Sequence, residues 1–193
     1  MTQSNLMNID TILDRIYLMP LTSKKILKDC MEEVKYSKGH ALLRADKIEK
    51  NIYFIKKGIV RAYADNDGDD ITFWFGQEGD LALSINGYVK DQKGYENIEL
   101  LEDCEFFKLN NDSLQILFDK DIHIANWGRK QVEYALIEAE KRLISRLVKT
   151  ASERYTDLLK NEPELLKRVK LSHLASYLGI TQVSLSRIRS NVK

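Results

Sequence analysis

Cysteine is scarce in this chain: Cys30 and Cys104 are the only two in 193 residues. Two distant thiols build neither a disulfide framework nor an iron–sulfur site, and they suit a reducing cytoplasm. No apolar run approaches the roughly 18–20 residues of a membrane span, so no membrane partner is expected. The start, "MTQSNLMNIDTILDRIYL", carries Asp10 and Asp14 and lacks the basic opening and apolar block of a signal peptide. Histidine is scarce as well. His40, His123 and His173 fall in three different regions, whereas a metal-dependent jelly-roll enzyme needs two or three converging inside its barrel. Only His40 falls where a barrel interior could be, and no Ser/His/Asp or Cys/His set is spaced for nucleophilic catalysis. The expectation is a cytoplasmic protein that is not an enzyme and carries no metal or cofactor.

Two further absences are local. No acid follows Glu164, although Lys167, Arg168, Lys170, Arg187, Arg189 and Lys193 do, and no arginine stands between Arg61 and Arg129. The net charge of +1 conceals an asymmetry: residues 1–118 hold 15 basic and 20 acidic side chains, and residues 119–193 hold 15 and 9. A basic, acid-free end behind an acidic front half points to a polyanionic partner. In other respects the composition, 44% apolar and 31% charged, is that of an ordinary soluble globular protein. The length allows one large or two small domains.

The expected fold class is α+β. Residues 1–35 read as helical, with Ile9, Ile12, Leu13 and Ile16, then Leu27, Cys30, Met31 and Val34, at helix spacing. From Lys38 the texture changes. "NIYFIKKGIVRAYADNDGDDITFWFGQEGD" sets β-branched and aromatic residues in short runs divided by Gly58, an aspartate cluster, Gly76 and Gly79, the signature of antiparallel strands and hairpins. Asp67-Gly68 is the expected turn, because glycine takes positive φ without steric cost. Asp65, Asp67, Asp69 and Asp70 belong to a solvated turn rather than a calcium loop, since the glycine is misplaced for an EF-hand and no glutamate closes it. "NIELLEDCEFFKL" supplies another strand pair, giving a small jelly roll or barrel over about seventy residues. Phe73, Trp74 and Phe75 are expected mostly in its core.

From about residue 112 to 159 there is no proline and Gly128 is the one glycine. Val132, Leu136, Ala139, Leu143 and Leu147 alternate in steps of four and three, as an interhelical seam does. Tyr134, Ile137, Ile144, Val148 and Ala151 form a second apolar stripe. A helix apolar on two sides needs two neighbours. Here these are its own barrel and the same helix of a second copy about a two-fold axis; a helix buried inside one protomer accounts for the stripes nearly as well. The chain thus divides into a barrel domain with N-terminal helices (1–118), a dimerisation helix (119–150) and a basic C-terminal unit (151–193).

That last unit contains "LSHLASYLGITQVSLSRIRS". Leu171, Leu174, Ala175, Tyr177 and Leu178 make the inner face of a short helix, Gly179 suits a left-handed stop, and Thr181 can cap a second helix. Leu185, Ile188 and Val192 point inward from that second helix. Gln182, Val183, Ser186, Arg187 and Ser190 point outward, with Arg189 on one flank. This is a helix-turn-helix, whose second helix enters the DNA major groove. Arg187 matches guanine, Gln182 matches adenine, and Val183 can touch a thymine methyl. Thr181, Ser184, Ser186 and Ser190 can reach phosphates or base edges, while Lys167 and Lys170 meet phosphates.

Barrel, long helix and helix-turn-helix, in that order, resemble the Crp/Fnr family of bacterial transcription regulators along essentially the whole chain. "YFIKKGIVRAY" is similar to the strand–glycine–strand of that family's cyclic-nucleotide-binding-like barrel, and "GDDITFWFGQEGD" to the strand and turn after it. "LASYLGITQVSLSRIR" resembles the DNA-reading end, especially in a branch common in Bacteroidetes. The resemblance implies a homodimer on double-stranded DNA with a two-fold operator, with RNA polymerase and an unidentified small-molecule effector as further candidate partners.

The chain also departs from the family pattern. Members that bind cyclic AMP hold its phosphate with a Gly-Glu pair and a later Arg-Ser or Arg-Thr pair. Gly79-Asp80 stands for the first, and the region of the second reads "KGYENIEL". A buried phosphate needs a charge-assisted partner. Lys90 and Lys93 lie in a polar loop and read as solvated, so cyclic AMP is not the expected effector. The N-terminal cysteine cluster of oxygen-sensing members is missing. Val183 stands where many members place an acid that reads cytosine, so a different operator is expected. Any wing must use "RVK" at 168–170 and is reduced. The rival expectation is a stand-alone ligand-binding or catalytic jelly roll with a helical assembly tail.

Overall fold

The computed structural model describes residues 7–191; Val192 and Lys193 lie outside the described residues. Helices α1 (Ile9–Asp14) and α2 (Leu21–Asp29) come first. The strands are β1 (Met31–Tyr36), β2 (Ala41–Leu43), β3 (Asn51–Lys57), β4 (Val60–Asn66), β5 (Asp69–Gly76) and β6 (Leu81–Ala82), then, after helix α3 (Ile85–Lys90), β7 (Asn97–Leu100) and β8 (Cys104–Asn110). Helices α4 (Asn111–Lys120), α5 (Ile122–Val148), α6 (Ala151–Asn161), α7 (Pro163–Arg168), α8 (Leu171–Leu178) and α9 (Gln182–Asn191) follow. None of the helices among the described residues is long and apolar enough to cross a membrane.

Two four-stranded antiparallel sheets, β1-β8-β3-β6 and β2-β7-β4-β5, make the barrel. Leu43, Ile55, Val60, Leu100 and Phe106, drawn from both sheets, share one buried cluster. Strand β3 reads as an unbroken apolar run because both of its faces are covered. Tyr53 and Ile55 face the opposite sheet, whereas Ile52 and Phe54 join Phe107 and Leu109 beneath α1, α2, α4 and α5. Trp127, 2% exposed, anchors that outer layer, and its Nε1 donates to the Leu13 carbonyl at 3.2 Å. The β4–β5 hairpin turns at Asp67-Gly68 with φ of 55° and 91°, the two left-handed residues of a primed turn whose twist matches the strands.

Four expectations need correction. Residues 31–35 are strand β1, paired with β8 from Met31↔Leu109 to Tyr36↔Cys104. The helix-like spacing of Cys30, Met31 and Val34 is overridden by that pairing, a non-local interaction that local periodicity cannot register. His40 is exposed and stacks on Tyr36 at 4.3 Å instead of entering the barrel. Phe73 and Trp74 pack against the barrel cluster, but Phe75 belongs to a separate cluster on the outer face, because a bulge at Phe73, between the pairs Ala62↔Trp74 and Tyr63↔Thr72, breaks the alternation that would have put Phe73 and Phe75 on one side. Finally, α5 buries Ile124, Trp127 and Gly128 near its start, and neither apolar stripe beyond them packs on the protomer's own barrel. Leu136 and Leu147 of the first stripe are 68% and 76% exposed, and Val148 of the second is 71% exposed. The half-buried positions of this stretch are the polar Gln131, Glu138, Arg142 and Ser145, so the face turned towards protein is polar and the apolar stripes are left open.

Candidate nucleic-acid interface

The C-terminal unit is assembled by local rules. Thr150 and Glu153 form a reciprocal capping box that starts α6 two residues after α5 ends. Pro163 opens α7, where its missing N–H costs nothing. Helix α8 stops at Gly179, φ 67°, and the N–H of Ile180 returns to the Ala175 carbonyl at 3.0 Å, as a left-handed stop requires. Arg154 closes the same helix end by donating to the Leu178 carbonyl at 2.6 Å. The Thr181 hydroxyl then accepts the Ser184 N–H at 3.1 Å. Leu185 is fully buried, and Ile188 packs on the same cluster as Leu174, Ala175 and Leu178.

The opposite side of α9 is open. Gln182, Val183, Ser186, Arg187, Arg189 and Ser190 are all exposed. Ser184 is half-buried and lies 3.0 Å from the Thr181 hydroxyl, so those two residues serve the cap first. Ser190 donates back to the Arg187 carbonyl at 2.8 Å. Arg187, Arg189 and Lys170 enter no ion pair among the described residues, whereas Lys167 pairs with Glu164 at 2.6 Å. That pair is exposed on both sides and weak enough to exchange.

Arg168 corrects two expectations together. It closes α7, and no strand follows residue 110 among the described residues, so 168–170 form no wing. Its guanidinium is bound to Glu78 and Glu102 of the barrel, which removes it from the free positive charge of the tail. The pairing satisfies a bidentate fork that would otherwise be half-buried without partners. Sequence periodicity gives no hint of this, because the partners lie on the far side of the chain.

Further contacts seat this unit on the barrel. Ile59 and Phe75 sit in the same cluster as Tyr155, Leu165, Leu174 and Leu185, and Phe75 lies 5.2 Å from the Tyr177 ring. The Ser176 hydroxyl accepts the Thr72 N–H at 2.9 Å and donates to the Asp70 carbonyl at 2.7 Å. Arg146 donates to the carbonyls of Thr72 and Tyr177. These residues carried no motif; a serine inside an apolar helix was the one available sign.

In the barrel segments compared with a phosphate site, Asp80 and Glu96 make contacts within the chain. Asp80 accepts the Gln77 N–H at 2.9 Å and faces Arg15 at 3.4 Å. Burial, set against those two contacts, pushes its carboxyl up. In the segment without arginine, Glu96 is 5% exposed, and its Oε2 accepts the Tyr95 N–H at 3.1 Å. Its other oxygen is buried with no partner in the protein. Lys90 and Lys93 are exposed.

An antiparallel barrel of two four-stranded sheets, joined through the long helix α5 to a C-terminal unit of short helices, defines the architecture of this chain. Residues 33–121 match the cyclic nucleotide-binding domain family. The chain as a whole shares its fold with FixK2 from Bradyrhizobium japonicum, with a TM-score of 0.73 at 24% identity over 84% of each chain. It is similar to a transcriptional regulator assigned to the Crp/Fnr family from Eubacterium rectale (TM-score 0.71, 16% identity, 88% of this chain and 82% of that one). It is also similar to CLP, the c-di-GMP-responsive global regulator of Xanthomonas campestris (TM-score 0.67, 15% identity, 90% and 91%). No curated protein matches the chain in sequence.

Proposed function

We propose that this chain is a DNA-binding transcription regulator of the Crp/Fnr type, acting in the cytoplasm as a homodimer joined through α5 and not governed by cyclic AMP. The observation that carries the proposal is the open face of α9, where Gln182, Val183, Ser186 and Arg187 lie exposed and no acid is present. A planar guanidinium beside an amide and a small apolar group is a set able to read guanine, adenine and thymine edges. Lys170, Arg189 and Lys167 would meet backbone phosphates. The two bare stripes of α5 support self-association, because a row of exposed leucines and isoleucines on a lone helix is an interface left open. The absence of any arginine between Arg61 and Arg129 supports the exclusion of cyclic AMP, since a buried phosphate needs a charge-assisted partner.

The test is selection of bound sites from random duplex DNA by the full chain, followed by titration at several salt concentrations. A two-fold motif with salt-dependent affinity supports the proposal, and equal retention of all sequences by both the parent and Arg187→Ala defeats it. Calorimetry with micromolar cyclic AMP should show no binding.

A further inference from the structure

We infer that the barrel aims the reading helix: Ser176 and Arg168 are positioning residues that hold α8 and α9 at one place against β5, and so set the half-site spacing the dimer accepts. The inference rests on the DNA-binding reading above and goes beyond it.

Strand β5 is an edge strand, and its open side is taken by α8. Ser176 Oγ accepts the Thr72 N–H at 2.9 Å and donates to the Asp70 carbonyl at 2.7 Å, so one hydroxyl satisfies two backbone groups that a further strand would have paired. At the same point Arg146 Nη2 donates to the Thr72 carbonyl at 3.3 Å and the Tyr177 carbonyl at 3.0 Å. One guanidinium thereby ties the end of α5, the edge of β5 and the end of α8. The second attachment is Arg168, which links the segment before α8 to Glu78 and Glu102. Between the two lies the shared apolar cluster with Ile59 and Phe75.

A unit attached at two separated points, with apolar packing between them, cannot pivot about either one. Its linker leaves no slack, because Lys149 and Thr150 alone separate α5 from α6 and both are engaged: Arg154 donates to the Lys149 carbonyl, and Thr150 forms the capping box. In a dimer joined through α5, the separation of the two reading helices is then fixed by the barrels. Each base pair inserted between half-sites moves them apart by about 3.4 Å and rotates them by roughly 35° about the duplex. A rigid pair must strain to follow that change, and a loosened pair follows it at lower cost.

The experiment uses the full chain and labelled duplexes carrying the selected operator, with its centre lengthened or shortened by one and two base pairs. The parent should lose roughly tenfold in affinity per base pair of misplacement, in the range that deforming a site costs. Ser176→Ala and Arg168→Gln, made separately, should each reduce that discrimination to about threefold or less while leaving base preference within a half-site unchanged. A variant that is merely less folded scales every Kd alike and keeps the ratio. A retained ratio in both variants therefore overturns the inference and leaves DNA binding standing. Uniform binding by the parent to all spacings overturns it as well. If the parent binds no duplex, the DNA-binding reading falls and takes this inference with it.

Discussion

Arg168 and Glu78, 90 positions apart in sequence, meet through two hydrogen bonds of 2.7 and 3.0 Å. Burial pushes the Glu78 carboxyl up, but Arg168 and the Gly58 N–H outweigh it and hold it below its ordinary value of 4.5. A depressed folded pKa contributes stability that is fully present above the unfolded value and is lost as pH falls through the folded one. The melting temperature of the parent should therefore fall as pH drops from 4.5 towards 3. Arg168→Gln should already be weaker at pH 7 and lose less over that range. An identical acid slope in both proteins would show that the pair contributes nothing to stability.

His173 acts in a different window. It lies on α8 with Nδ1 buried and unpartnered. Burial first, then Arg61 on β4, hold its pKa below 6.5, with Lys170 acting in the same sense and Glu99 on β7 and Asp70 on β5 acting against it. The unfolded chain thus takes up this proton before the folded one does, and stability falls as pH drops below 6.5. His173→Gln should flatten the slope of melting temperature between pH 7 and 5, leaving the acid limb below 4.5 in place. An unchanged slope would assign that window to other groups.

The seam on α5 makes a sharp prediction. Leu143 is 59% exposed in the protomer and lies in line with Leu136 and Leu147. If a second copy covers it, Leu143→Glu places an unpaired charge in the seam of each subunit, at a cost of several kcal/mol per buried ion. Sedimentation should show monomers, and operator affinity should fall with them. A variant that remains dimeric would move the interface to another face.

Arg187 and Lys167 should separate specificity from attachment. Arg187→Ala should cost about 1–3 kcal/mol at one base pair of each half-site, and operators altered at that pair should bind the variant as well as the parent operator does. Lys167→Ala should weaken all sequences alike and make the salt slope shallower by roughly one unit. Half-sites should lie about 34 Å apart, one helical turn. Loss of base preference in Lys167→Ala, with uniform loss in Arg187→Ala, would reverse the orientation of the unit in the groove.

Much of this architecture is legible in the sequence where the cause is local. The Asp67-Gly68 turn, the Gly179 stop, the Thr181 cap and the inward Leu185 follow from backbone sterics and spacing, and each stands where those rules put it. What escapes is set by partners distant in the chain. Residues 31–35 look helical until β8 pairs with them, Arg168 looks like free charge until Glu78 and Glu102 meet it, and Phe75 looks like barrel core until the C-terminal unit covers the outer face. The polar inner face of α5 was invisible for a related reason. Apolar periodicity says that a stripe will be covered, and is silent on which molecule covers it.

The seating of α8 on β5 has a consequence for solubility. An uncovered edge strand presents a row of unpaired amides and carbonyls on which another chain can add as a further strand, the usual beginning of aggregation. Natural sheets blunt such edges with charge, bulges or a covering helix, and β5 has all three: Asp69 and Asp70 at its start, a bulge opposite Ala62 and Tyr63, and α8 across Asp70 and Thr72. The C-terminal unit therefore guards the barrel as well as serving its own task. A truncation intended to isolate the barrel would expose Ile59, Phe75 and this edge together, and the fragment should precipitate where the full chain stays in solution.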